Sequence, residues 1–291
     1  MPFAVLAVLL WSTQATAFKI ALKYSNPFGV LLISSVTSAI CLFFLYTIET
    51  RKKIRDILYE IPHNLNSSLM GLVNPLLYYV VLFNAYNLLK AQEALLLNYL
   101  WPIVLTIFSA IFLKRKLSLR KATALLISFL GAVIVITKGN IKSLEFSNVK
   151  GTILALGSTI LWATYWLLNM KDQRPVIQKL FYNFLFGLIY LTVIQVVFKP
   201  ARIINLLVLP GGVYIGLFEM GITFFLWLKA LEGVKDTARV NNLIYFAPFL
   251  SLVFINFVLR ERIQFYSILG LFVISTGIVL QEIFSKKGAV I

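Results

Sequence analysis

Long apolar runs alternate with short polar breaks along the whole chain. The runs lie near 2–22, 28–48, 67–89, 92–113, 122–138, 151–170, 179–198, 206–229, 239–259 and 263–282. A lipid-facing helix needs about 20 apolar residues to cross roughly 30 Å of hydrocarbon. The pattern therefore predicts an all-α integral membrane protein with ten transmembrane helices, of which the fifth is the shortest. The connections are short, which leaves no room for a soluble domain. The longest polar insert, 49–66, carries alternating charge with Pro62 and His63 and predicts a short surface helix.

The two halves of the chain repeat one another. Trp11-Ser12-Thr13 returns as Trp162-Ala163-Thr164, and Tyr99-Leu100-Trp101-Pro102 as Tyr245-Phe246-Ala247-Pro248. Lys114-Arg115-Lys116-Leu117 returns as Arg260-Glu261-Arg262-Ile263, and Leu130-Gly131-Ala132-Val133 as Thr276-Gly277-Ile278-Val279. The last three pairs share an offset of 146 residues. Each half carries five runs, and an odd number of crossings obliges the second copy to sit upside down in the bilayer. We read 1–148 as the first five-helix repeat and 149–291 as the second, inverted one. Residues 139–150, around Gly139-Asn140 and Ser147-Asn148, are the expected linker.

Composition agrees with a membrane protein: 60% hydrophobic residues, a mean hydropathy of +0.88 and only 13% charged residues. The net charge of +16 is unevenly placed. If the N-terminus is cytoplasmic, 17 of the 27 Lys and Arg residues fall on the inner side and 10 on the outer. That bias predicts both termini inside a plasma or inner membrane. Anionic lipid headgroups are sufficient partners for these charges. Nucleic acid is not an expected partner, because no basic face is interleaved with aromatics on a soluble module. Ala15-Thr16-Ala17 resembles a signal-peptide cleavage site, but no basic segment precedes it, so the first run is kept as a transmembrane helix. The single Cys41 excludes a disulfide framework or thiolate metal cluster.

Three kinds of residue at mid-span depth carry candidate chemistry. Pro102 and Pro248 have no N–H, so the carbonyls of Asn98 and Ile244 lose their helical partners and the helices should kink there. Freed carbonyls at such depth are tolerated only against protein or a water-filled cavity, which points to a central cleft. The plainer alternative is a bend that serves packing alone. Trp11, Tyr78, Tyr79, Tyr99, Trp101, Trp162, Tyr165 and Tyr245 are candidates for an aromatic pocket holding an apolar side chain or a cation. Packing with internally satisfied polar tips competes with that reading. Glu219, between Phe218 and Met220, is an ionisable residue far from either end of its span, opposite Asn74 in the repeat. Such a residue is a functional-site hypothesis by default, for a substrate ammonium or a coupling proton. Pairing with Lys229 is unfavourable, since ten residues along one helix separate the two by about 15 Å. Gln14 and Asn98 are weaker candidates for a substrate carboxylate, with helix bridging as their alternative. Lys19 is expected to snorkel to headgroups.

Enzymatic motifs are missing. His63 falls in a loop, and the sequence has neither a metal-binding His/Glu helix motif nor a Gly-rich phosphate loop, so no cofactor, no metal and no catalytic residue are expected. A scaffold or lipid scramblase remains the alternative class.

The paired Trp motif, the Tyr-x-x-Pro of the fourth and ninth spans, and the charged turn before a Gly-containing fifth or tenth span together resemble the drug/metabolite transporter superfamily, in its EamA-type ten-helix form. Asn98-Tyr99-Leu100-Trp101-Pro102 and Leu10-Trp11-Ser12-Thr13 are similar to the YddG-like branch. The resemblance implies a secondary transporter working by alternating access, with a small amphipathic cargo, neutral or aromatic amino acids first, moved outward. Another small solute, such as a drug, a quaternary amine or a nucleotide-like metabolite, is the alternative cargo. One position departs from the family pattern: the Glu expected in the turn after the fourth span is Arg115 here, while Glu261 keeps it in the second half. We read that position as topology-setting charge at the membrane edge.

Overall fold

The computed structural model describes residues 2–112, 119–140, 148–201, 206–232 and 243–287. The first basic turn, Lys114-Arg115-Lys116, and most of the linker expected at 139–150 lie outside these residues. Among the described residues there are ten apolar helices: α1 Pro2–Leu22, α2 Pro27–Thr50, α3 Asn66–Leu88, α4 Ala91–Phe112, α5 Leu119–Ile136, α6 Val149–Lys171, α7 Val176–Phe198, α8 Val208–Leu231, α9 Ile244–Leu259 and α10 Phe265–Lys287. Seven of them are long and apolar enough to cross a membrane on length and composition; α5, α9 and α10 contribute shorter apolar stretches. The polar insert forms the expected surface helix, Ile54–Glu60.

Local chemistry sets the helix ends. Asn26 accepts a hydrogen bond from Gly29 N at 2.9 Å, and Pro27 opens α2 with a φ already suited to a helix. Asn148 caps α6 in the same way through Gly151 N at 2.8 Å. α2, α7 and α9 end on left-handed residues, Arg51, Lys199 and Arg260.

We call the end of the bundle carrying Pro2 the near end and the opposite one the far end. α1 packs along α8 and α9, α2 along α7 and α8, and α3 along α6 and α7. α5 and α10 form the tightest pair. Their glycines make the approach possible: a Cβ on Gly131 would stand 2.7 Å from Ile274 N, and one on Gly277 would stand 2.6 Å from Ala124 O. Ser128 Oγ donates across the same seam to Ile274 O at 3.1 Å. With little hydrophobic drive between helices in lipid, small residues and interhelical hydrogen bonds of this kind supply the association.

Candidate functional site

Two helices widen into π turns within the membrane-spanning region. Pro75 has no N–H to offer the Gly71 carbonyl, and α3 widens into π turns over Leu72–Leu77, with Asn74 extended at φ −145°, ψ 120°. α8 widens likewise over Gly216–Gly221, and Glu219 lies inside that stretch. Thr223 Oγ1 donates to Phe218 O across the wide turn. Single wide turns of this type recur at functional sites. Here each holds one buried polar residue, Asn74 or Glu219.

The Glu219 side chain faces α3. Tyr79 O–H donates to Glu219 Oε1 at 3.2 Å, and both residues are buried. Tyr78, Tyr86 and Tyr99 stand within electrostatic reach of the same carboxylate. Lys229 is turned away to Glu49 on α2, with Nζ 2.6 Å from Oε1, so it is not the partner of Glu219.

The rings form one continuous wall. Trp162 stacks on Tyr78 at 4.6 Å between centroids and meets Trp101, Tyr165, Trp166 and Phe224. Trp11 touches Phe224 at 5.7 Å and Trp227 at 5.4 Å, which carries the wall from α6 across to α1 and α8. Tyr79 touches Tyr78 at 4.8 Å and hands the wall on to Glu219. Offset and edge-on pairs such as these add about 0.5–1.5 kcal/mol each beyond burial.

The structure thus gathers Trp11, Tyr78, Tyr79, Trp101, Trp162, Tyr165 and Glu219 into one region. Asn98 and Tyr99 sit at the break of α4, where Asn98 Nδ2 donates to Ser158 Oγ at 2.9 Å, a helix-bridging bond. Gln14 is half-buried just past the break of α1 at Thr13, and Tyr245 is half-buried in the 3-10 turn Ile244–Phe246. Pro102 and Pro248 each stand second in a helical segment, Trp101–Phe112 and Ala247–Leu259, directly after a looser turn. The bend therefore falls just ahead of each proline, in a first turn where the missing N–H breaks no bond. The part of the ninth run before residue 243, Asn241 and Asn242 included, lies outside the described residues.

The far end holds a polar seal that the hydropathy pattern did not signal. Lys19 finds backbone partners at this end: its Nζ donates to Tyr86 O and Leu89 O, each at 2.7 Å, satisfying carbonyls at the end of α3. Glu261 is more than membrane-edge charge. Its carboxylate accepts from Ala91 N at 3.2 Å and Gln92 N at 3.5 Å, at the positive N-terminus of α4. Gln92 Nε2 donates to Glu261 Oε1 at 2.7 Å and to Arg262 O at 3.0 Å, while Gln92 Oε1 accepts from Gln264 N at 3.1 Å. A cleft of about 280 Å³ lined by Lys19, Leu22, Lys23, Asn87, Leu259 and Glu261 lies on this side. Toward the near end α4 is less covered: every residue from Ala91 to Leu100 is buried, whereas from Trp101 to Phe112 Ile103 is buried, Ile107, Ile111 and Phe112 are exposed and the rest are half-buried.

The model of the EamA-like transporter family matches residues 1–137 and again 149–281. The chain belongs to that family and is a multi-pass membrane protein of a transporter class. Among curated relatives, it is 23% identical over 288 residues to an uncharacterized transporter of Archaeoglobus fulgidus, with 94% of each chain covered. It is 22% identical over 284 residues to the uncharacterized transporter YoaV of Bacillus subtilis, covering 96% of this chain and 95% of that one. The aromatic amino acid exporter YddG of Ancylobacter novellus is 25% identical over 182 residues, 60% of this chain and 61% of the exporter. A protein of known crystal structure superposes with a TM-score of 0.66 at 19% identity, covering 98% of this chain and 96% of that one, a likeness of fold alone.

Proposed function

We propose that the protein is a secondary transporter that moves small amphipathic metabolites, neutral and aromatic amino acids foremost, out of the cytoplasm by alternating access. The reading includes two inverted five-helix repeats, 1–148 and 149–291, with both termini cytoplasmic. The near end then faces the cytoplasm, and the sealed far end faces outward. The observation that carries the proposal is the Glu219 carboxylate, held by Tyr79 in a break of α8 at the edge of the aromatic wall. A buried carboxylate beside rings suits a solute with an ammonium and an apolar side chain, one drawn by charge and the other by the ring faces. Interrupted helices near mid-membrane are where transporter sites are built. The likeness to an aromatic amino acid exporter supports the same cargo.

The test is flux of labelled neutral amino acids in proteoliposomes. Glu219→Gln keeps the shape and the Tyr79 bond but removes the charge. We expect transport to fall at least tenfold, on the order of 1.4 kcal/mol or more of lost interaction. Unchanged flux and unchanged pH dependence in that variant would remove Glu219 from the mechanism. A wild-type protein that carries no neutral amino acid would reject the cargo.

A further inference from the structure

The far-end cleft carries binding capacity that the seal does not use. Both halves of the chain build it. Lys19 and Leu22 on α1, Lys23 just after it and Asn87 on α3 come from the first half; Leu259 on α9 and Glu261 in the turn before α10 come from the second. Its volume of about 280 Å³ lies just under the roughly 300–1,000 Å³ of sites for drug-sized ligands, so it suits a smaller solute.

Four polar groups in this lining have places left for a ligand. An ammonium has three N–H donors, and Lys19 spends two of them on Tyr86 O and Leu89 O, which leaves one. Lys23 and Asn87 are exposed, and neither side chain makes a hydrogen bond among the described residues. Glu261 accepts from Ala91 N, Gln92 Nε2 and, at a long 3.5 Å, Gln92 N, whereas a carboxylate offers about four places. The cleft therefore presents cationic donors and a carboxylate to one small space, with Leu22 and Leu259 as apolar walls. A zwitterion with a short apolar side chain has the complementary groups, and charge-assisted hydrogen bonds are the stronger kind. Two ammonium groups against one carboxylate make the carboxylate end of such a solute the more firmly held. Lys19 would then serve the seal and the solute at once, since the same ammonium fastens α1 to α3.

We propose that this cleft is an outer binding site for a zwitterionic amino acid, with the carboxylate on Lys19 and Lys23 and the ammonium toward Glu261. The site is separate from the one at Glu219 and is open to solute while the far seal is shut. The proposal rests on the transport reading for its class of solute. The test uses the intact purified protein in uncharged detergent, where no anionic lipid competes. In a Cys41→Ser background, Leu22→Cys reports on the cleft through its reaction rate with a neutral polar thiol reagent, with leucine as the probe. Leucine at about ten times its dissociation constant slows that reaction roughly tenfold. Leucinamide, which lacks the carboxylate, and 4-methylpentanoate, which lacks the ammonium, protect less than leucine. Lys19→Met abolishes protection, while Glu219→Gln leaves it unchanged. Should Lys19→Met not fold, Lys23→Gln raises the leucine needed for half-protection by about two- to fivefold. No slowing at about 20 mM leucine, a dissociation constant far above the millimolar range, overturns the proposal. Equal protection by either analogue, or protection that survives both Lys variants, also overturns it. Loss of protection in Glu219→Gln means that the thiol reports the mid-membrane site and overturns it too. Absence of amino acid flux with protection intact rejects the transport reading alone, so the two proposals fail separately.

Discussion

The two halves of α4 lie in different surroundings, and not in the order their apolarity would suggest. Ala91–Leu100 is wholly buried, whereas Trp101–Phe112, the more apolar half, buries only Ile103 and packs mainly on α6. Hydrophobicity does not explain the contrast. Polar atoms at the far turns do: Glu261 and Gln92 tie the start of α4 to the turn before α10, and Lys19 ties α1 to the end of α3. The near end has its own bonds between elements, from Tyr182 O–H to Glu60 and from Arg174 to Asn64, so what sets the far end apart is that its bonds grip the start of α4 itself.

The largest expected effect falls where the two halves meet, at the aromatic wall. Trp162→Ala removes ring contacts to Tyr78, Trp101, Tyr165, Trp166 and Phe224 at once. We expect about 3–5 kcal/mol of lost stability, read as a lower melting temperature, with Trp162→Phe recovering most of it. A loss below about 1 kcal/mol would mean that the wall is loosely packed and does not join the halves.

Breaking the far seal is the next largest. In a Cys41→Ser background, Ser109→Cys at a half-buried position of the near half should react with a polar thiol reagent at least about tenfold faster than Ala94→Cys, which replaces a fully buried residue. Adding Glu261→Ala removes an acceptor of charge-assisted bonds worth about 1.5–3 kcal/mol. It should bring Ala94→Cys close to the Ser109→Cys rate. Equal rates before that change would erase the contrast between the halves.

The smallest effect belongs to the near-end surface helix. Burial is the largest single influence on Glu60 and pushes its carboxyl up, but hydrogen bonds from Lys52, Tyr46 and Tyr182 outweigh it and hold the group below its ordinary range. The Lys52 ammonium is correspondingly held above its own, chiefly by that bond to Glu60. For a depressed carboxyl the stabilisation is full above the ordinary value near 4.3, and it drains away as pH falls through the lower folded value. Because both side chains are partly exposed, Glu60→Gln should cost only about 0.2–1 kcal/mol. It should also flatten the acid limb of a stability–pH curve; an unaltered limb would show that the bridge plays no part there.

The membrane-spanning architecture was readable in the residue pattern because lipid imposes length and apolarity on each helix directly. The first eight spans agree with the observed helices to within three residues at each end. The aromatic candidates and Glu219 were visible because a ring or a carboxylate at mid-span depth stands out against aliphatic neighbours. The far seal was not visible: Gln92 and Glu261 are 169 residues apart, and a Glu in a charged turn looks like solvent-facing charge. Hydropathy could not tell whether Lys19 reaches a headgroup or a backbone carbonyl, since both lie at the same depth. Asn183 drew no notice in the sequence, because only the packed structure brings its carboxamide to the Tyr165 hydroxyl, 3.4 Å away on the preceding helix.

Gln92 gives two hydrogen bonds and takes one, all three to the same short turn. One carboxamide cannot release a single partner without tilting away from the others. Parting α4 from that turn therefore breaks all three bonds together.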